Sequence, residues 1–150
     1  MAGIHGEFRH QIDEKGRFRI PAKLKEQLGD RPFITRGSNR SLIVLRAEDA
    51  EKMFDERFGD IDALDPESNK VLRILSSGGF NAEEDKQGRI LLPLPLIKYA
   101  GIKKNIVTIG LHKRVEIWSE EAWDDYINLS PEEFDECLLK SKSRSETSHG

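Results

Sequence analysis

The chain has 150 residues, of which 37% are hydrophobic and 34% charged, with a net charge of −3 and a single cysteine. This composition describes a water-soluble globular chain and excludes both an intrachain disulfide and a thiolate metal cluster. No run of about 18 apolar residues occurs and the N-terminus MAGIHGEFRH has no apolar signal core, so neither a membrane span nor secretion is expected, and the protein is placed in the cytoplasm.

Phe8, His10 and Ile12 alternate with Arg9, Gln11 and Asp13, the period of two that marks a half-buried strand. Glu14, Lys15 and Gly16 read as a tight turn in which Gly16 can take a positive φ, and Arg17 to Ile20 read as a strand returning beside the first. Pro21 suits the start of a short helix, AKLKEQL, with Leu24 and Leu28 on one face and Gly29 at its end. Short strands beginning at Phe33 and Ser41, joined through Gly37 to Arg40, precede an acidic helix, AEDAEKMFDERF, with Met53 and Phe54 as its apolar stripe. Asp65 and Pro66 then mark the cap and first turn of a helix in which Val71, Leu72, Ile74 and Leu75 are expected to pack inward.

From Gly78 the unit starts again. DEKGRFRIP at 13–21 returns as DKQGRILLP at 85–93, a displacement of 72 residues that also carries Gly6, Phe8 and Gly29 onto Gly78, Phe80 and Gly101. One inserted residue moves the offset to 73, which aligns Thr35, Gly37, Leu42, Val44 and Leu45 with Thr108, Gly110, Val115, Ile117 and Trp118. The second copy closes with the strands NIVTI and RVEIW around a turn at Gly110 to Lys113. Its acidic helix, SEEAWDDYINL, is capped by Ser119 and carries Trp123, Tyr126 and Ile127. Ser130 to Glu133 form a capping box before FDECLLK, where Cys137 is a small hydrophobe, and the polar tail after Leu139 is expected to be mobile. The expected division is a first unit at 6–49, a helical connector at 50–77, a second unit at 78–121, and a C-terminal helix with its tail at 122–150. Units of this size close poor cores alone, so fusion to each other or assembly with other chains is the expected remedy.

Charge follows the repeat. Lys and Arg outnumber Asp and Glu ten to five in 1–46 and nine to four in 70–118, whereas the acids lead nine to two in 47–69 and nine to three in 119–150. An acidic chain can therefore present a basic face, and the recurrence in register with the repeat favours a functional one.

Catalysis is poorly served. His5, His10, His112 and His149 have no helical i, i+4 partner, and the chain holds no nucleophile elbow, phosphate-cradling glycine loop or repeated cysteine pair. Asp13 with Glu14, and Glu83 to Asp85, sit at strand ends beside basic residues, where ion pairing suits them better than acid–base work. No enzyme activity, metal, cofactor or small-molecule substrate is expected. The repeated element works better as a scaffold: Asp13 and Gly16, and Asp85 and Gly88, shape a turn in which the carboxylate takes backbone N–H groups or the guanidinium. Lys15, Arg17 and Arg19 then face a polyanion, and a two-stranded ribbon is narrow enough for a DNA major groove, where Arg reads guanine and Lys senses phosphate. Closing the hairpin accounts for Arg17 equally well. The second copy keeps only Lys86 and Arg89, with Arg19, Lys23 and Lys25 replaced by Leu91, Pro95 and Ile97. The first copy is the principal reader and the second is better suited to packing.

GEFRHQIDEKGRFRIPAKLKEQLG, EEDKQGRILLP and VEIWSEEAW together resemble the MraZ family of bacterial transcriptional regulators, built from two SpoVT/AbrB-type domains, over about residues 1–129. The resemblance implies an α+β fold: a β-rich, pseudo-symmetric double swapped-hairpin (AbrB-like) barrel with short peripheral helices. It implies a nucleoid-associated repressor, assembled as a ring-shaped homo-oligomer. The ring would bind double-stranded DNA at direct repeats upstream of the division and cell-wall gene cluster, its own gene included. The motif positions carried over are Asp13, Arg17, Asp85 and Arg89, with a basic turn residue at Lys15 but Gln87 in its place in the second copy. A protein-interaction module of the antitoxin kind shares the AbrB fold, but it pairs one copy with a longer tail. A purely structural ring has no need of basic fronts.

Overall fold

The computed structural model describes residues 3–141, so the expected tail falls largely outside the described residues. In chain order the elements are β1 (Ile4–Gln11), β2 (Arg17–Phe18), α1 (Ala22–Leu28), β3 (Phe33–Arg36), β4 (Leu42–Leu45), α2 (Ala47–Phe58) and α3 (Pro66–Ser77), followed by β5 (Phe80–Asn81), β6 (Ile90–Leu91), α4 (Leu94–Ala100), β7 (Asn105–His112), β8 (Arg114–Ser119), α5 (Glu120–Ile127) and α6 (Pro131–Lys140). The mixed helix-and-sheet class agrees with expectation, and so do most elements.

Strand partners do not. The expected hairpin closes for one rung, Asp13 N–H to the Arg17 carbonyl at 2.9 Å, and then splays. β1 leaves to pair antiparallel with β7 of the second copy, and β2 pairs with β6, its own counterpart. Six strands form an antiparallel sheet in the order β1-β7-β8-β4-β3-β5, while β2-β6 is a separate ribbon. The sheet is open, with β1 and β5 as its edges, which corrects the closed barrel. On the β5 side the ladder stops early: the Ala82 N–H still donates to the Pro32 carbonyl at 2.8 Å, but Pro32 has no N–H to return.

Two of these pairings map onto themselves when the copies are exchanged. At the 73 offset Leu42↔Ile117 becomes Val115↔Val44, a rung of the same β4-β8 ladder. At the 72 offset Arg17↔Leu91 becomes Arg89↔Arg19, the continuation of the β2-β6 ladder. A pseudo-two-fold axis therefore passes through Phe18–Ile90 and Ile43–Glu116. The main core forms around it from both copies, with Phe18, Leu24, Ile34, Leu42 and Val44 packed with Ile90, Leu96, Ile106, Val115 and Ile117. The opposite sheet face buries Val107, Ile109 and Trp118 under Trp123 of α5, whose first turn is capped by Ser119 Oγ accepting from Ala122 N–H at 3.1 Å.

Three further expectations change. The β7-β8 turn falls at His112 and Lys113, leaving Gly110 inside the strand opposite Val115. No residue of α3 is buried: Leu72 and Leu75 are half-buried against the sheet edge, while Val71 and Ile74 stay 38% and 37% exposed. The capping box of α6 is present, but none of the helix is buried, and Cys137 is exposed. A helix lying on one side of a sheet edge has only half its apolar arc to hide.

Candidate nucleic-acid interface

Both motif turns are built alike. Asp13 Oδ1 accepts from the N–H groups of Lys15 and Arg17 at 3.0 and 2.8 Å, and its Oδ2 accepts from Arg17 Nε at 2.7 Å. Asp85 repeats the set with Gln87 N–H, Arg89 N–H and Arg89 Nε, each at 2.9 Å. The two carboxylates are thus scaffold, and Arg17 and Arg89 both close turns, each with its Nε committed. The backbone N–H of Arg17 does most to hold Asp13 below the ordinary carboxylate pKa, partial desolvation opposes it, and the Arg17 guanidinium and Lys15 N–H add to it; Arg89 N–H leads for Asp85.

A carboxylate depressed in the folded state contributes stability that is fully present above its unfolded value and is lost as pH falls through the folded value. Both turns are therefore expected to stay closed down to the ordinary carboxylate range and to open only below it. A carbon-13 titration of the side-chain carboxyls checks this, the expected midpoints for Asp13 and Asp85 lying below that of aspartate in an unfolded peptide.

The turns differ in their glycines. Gly16 and Gly88 have φ of 84° and 76°, but a Cβ on Gly16 would come within 3.1 Å of Ile97 Cδ1 and 3.3 Å of the Leu92 carbonyl oxygen, whereas on Gly88 it would meet only Glu84 Oε2 at 3.9 Å. Both alanine substitutions carry the left-handed penalty of about 1–2 kcal/mol. Gly16→Ala is expected to be the more destabilising, as read from urea midpoints.

Phe18 and Ile90 turn into the core, so Arg17, Arg19, Arg89 and Leu91 occupy the outer face of the ribbon, with Arg19 set opposite Arg89 by the register. Because β2 and β6 are antiparallel, the two turns lie at opposite ends of this ribbon. Arg19 bonds to the far one through its Nε and the Gln87 carbonyl at 3.1 Å. Beside the ribbon the Ile12 N–H donates to the Lys104 carbonyl at 2.9 Å, pinning the α4-β7 loop against the first turn. The groove of about 700 Å³ so formed is lined by Arg17, Arg19, Arg89, Lys103 and Lys104 against the carboxylates of Asp13 and Glu14. His10, also on its wall, is bonded to Thr108 Oγ1 at 2.7 Å, and burial pushes its pKa below the ordinary histidine value.

The counterpart groove across the axis has the opposite character. It is lined by Lys25 and Arg31 against Asp30, Glu83 and Glu84. Its cations are spent, with Lys25 Nζ 2.6 Å from Glu84 and Arg31 2.9 Å from Glu83. Elsewhere Arg9 is held by Asp124 at 2.8 Å and Glu7 at 2.9 Å, and Arg46 pairs with Glu48. Lys25, Arg31 and Arg9 are thus neutralised by acids distant in sequence, whereas Arg19, Lys103 and Lys104 of the first groove are in no ion pair among the described residues.

Of the residues singled out from sequence, Arg17, Arg19 and Arg89 come together in this groove. Lys15 and Lys86 are exposed on the turns and do not line it. Lys103 and Lys104 were missed, although they form the one Lys-Lys pair in the chain. Both are exposed, and neither is ion-paired among the described residues.

Fold and turns define a class: a tandem-repeat α+β protein whose copies pair strands with each other about an internal axis, each carrying an Asp-x-x-Gly-Arg turn. Residues 75–139 match the sequence profile of the family described as "MraZ protein, putative antitoxin-like". The chain is also 36% identical over 135 residues, 90% of its own length and 94% of the relative's, to a protein of Carboxydothermus hydrogenoformans named "Transcriptional regulator MraZ". The chain belongs to the MraZ family. Among the described residues no helix is long and apolar enough to cross a membrane.

Proposed function

We propose that this protein is a DNA-binding transcription regulator that acts in the cytoplasm at the nucleoid. In this reading it represses the division and cell-wall gene cluster, its own gene included, by binding upstream direct repeats as a ring-shaped homo-oligomer. The observation that carries the reading is the convergence in one groove of Arg19, Lys103 and Lys104, in no ion pair among the described residues, with the turn-closing Arg17 and Arg89, while in the counterpart groove Lys25 and Arg31 are both paired with glutamates. Arg19 and Arg89 reach base edges from the ribbon, Lys103 and Lys104 bind phosphate, and Lys15 and Lys86 add phosphate contacts at the turns. Asp13, Gly16, Asp85 and Gly88 set the ribbon's shape. Pairing of β1 with β7 and of β5 with β3, each with the other copy, supports the double swapped-hairpin, AbrB-like description, with the units at 6–49 and 78–121 interlocked.

The asymmetry bears on the operator. Two equal grooves about a two-fold axis would suit an inverted repeat, but one groove per chain, set head to tail in a ring, suits direct repeats. A single groove of this kind gives about 10⁻⁴ to 10⁻⁶ M at physiological salt, and linked grooves at matching spacing raise this by about 10² to 10⁴. An antitoxin-like protein-binding role, the competing reading, leaves the groove cations dispensable. Fluorescence anisotropy of the purified chain on its own upstream DNA, over a salt series, tests the proposal. The expected slope of log K against log salt is about −4 per chain, from about −0.9 per phosphate, and no binding at low salt overturns it.

A further inference from the structure

We infer that His5 and His112 form a site for an imidazole-seeking divalent metal ion such as zinc, where the two copies meet at the far end of β1 from the basic groove. No helical i, i+4 spacing announces the pair. The β1-β7 ladder makes it, with Ile4 opposite His112 and His5 opposite Leu111. Gly110 lets the strands come close there, since a Cβ on it would stand 2.7 Å from Ile4 Cγ2 and 2.9 Å from His5 N. The two rings end stacked, with centroids 5.9 Å apart and planes inclined by 24°.

The nitrogens give the pair its chemistry. A Cβ on Gly3 would stand 3.0 Å from His5 Nε2 and in hard contact with His112 Nδ1, so one nitrogen of each ring faces a single point that glycine leaves open. Neither imidazole is in a hydrogen bond or ion pair with another described residue, and both residues are exposed. Rotation of the rings, with a slight shift of Gly3, brings each nitrogen to the roughly 2.0–2.1 Å of a zinc–imidazole bond. His112 has a φ of 68° in the β7-β8 turn, a left-handed conformation that glycine takes at lower cost, so the turn alone does not call for a histidine. Among the described residues no cluster of three or more His, Cys, Asp and Glu side chains is placed to hold a metal, so the protein supplies two ligands here and water the rest. Two imidazoles select zinc, nickel or copper(II) over magnesium and calcium, which take oxygen ligands. Because His5 belongs to the first copy and His112 to the second, bound metal ties the copies together at the outer end of the β1-β7 ladder.

The site is independent of the proposed function, and its test uses no DNA. Isothermal titration of the untagged, metal-free chain with zinc chloride is expected to show one zinc bound per chain. His5→Ala and His112→Ala are each expected to weaken it by about tenfold or more. Gly3→Ala, which fills the point between the two nitrogens and removes no ligand, is expected to weaken it as well. Cys137→Ser and His149→Ala, which remove other metal-seeking side chains, are expected to bind zinc as wild type does. All these positions lie outside the buried core or beyond the described residues, and far-UV circular dichroism checks that each variant folds. No zinc uptake at millimolar metal, an affinity unchanged by any of the first three substitutions, or one lost with Cys137→Ser or His149→Ala overturns the inference.

Discussion

Replacing Lys103 and Lys104 together by glutamate is expected to weaken duplex DNA binding by about 10²-fold or more near 0.1 M salt and to flatten the salt slope by about 2. The two side chains are exposed on a loop whose backbone is fixed by the Ile12–Lys104 hydrogen bond, so the change removes charge without removing a buried contact. The informative control is Lys25→Glu with Arg31→Glu on the counterpart groove. Those cations already face Glu84 and Glu83, and their reversal is expected to leave DNA affinity within a few-fold of wild type. Equal losses from the two pairs would mean that net charge, and not the groove, governs binding.

Phe18→Ala is expected to cost about 3–5 kcal/mol, a large part of the 5–15 kcal/mol typical of a domain. Phe18 is 2% exposed and lies on the pseudo-two-fold axis against Ile90, itself 1% exposed. Because β1-β7, β2-β6 and β4-β8 all join one copy to the other, the loss cannot be confined to the first copy. Urea unfolding followed by circular dichroism is expected to show one transition in wild type and one, at markedly lower urea, in the variant. Two resolved transitions would contradict the shared core.

Local pattern carried the elements well, and partnership poorly. Alternation along Phe8 to Asp13 told which side chains turn inward, but it does not say which strand lies alongside, and a tight turn at Gly16 made the local hairpin the natural reading. The 72-residue repeat held the missing information: a strand and its counterpart can pair across an axis as readily as two neighbours in sequence. In α3, Val71, Leu72, Ile74 and Leu75 span a wider arc than one sheet edge can cover, so half of it stays in water.

The candidate groove was half legible. Asp13 and Asp85 do what the spacing indicated, and Arg17 and Arg19 do lie on one face of a ribbon. Lys103 and Lys104 escaped because they belong to a loop of the second copy and reach the first turn only through a cross-copy bond. Counting charge by segment also overstated the basic face. Glu83 and Glu84 belong to the second copy but neutralise Arg31 and Lys25 of the first, a cancellation that no linear window contains.

In the proposed function, a body paired across its two copies offers DNA one basic groove. Hydrogen exchange of the full chain, with and without a duplex carrying its upstream repeats, tests it most directly. Slowed exchange is expected around Asp13 to Arg19, Arg89 and Lys103 to Lys104, with little change at Lys25 to Arg31 and at Glu83 and Glu84. Protection shared equally by the two grooves, or confined to α6, would contradict it.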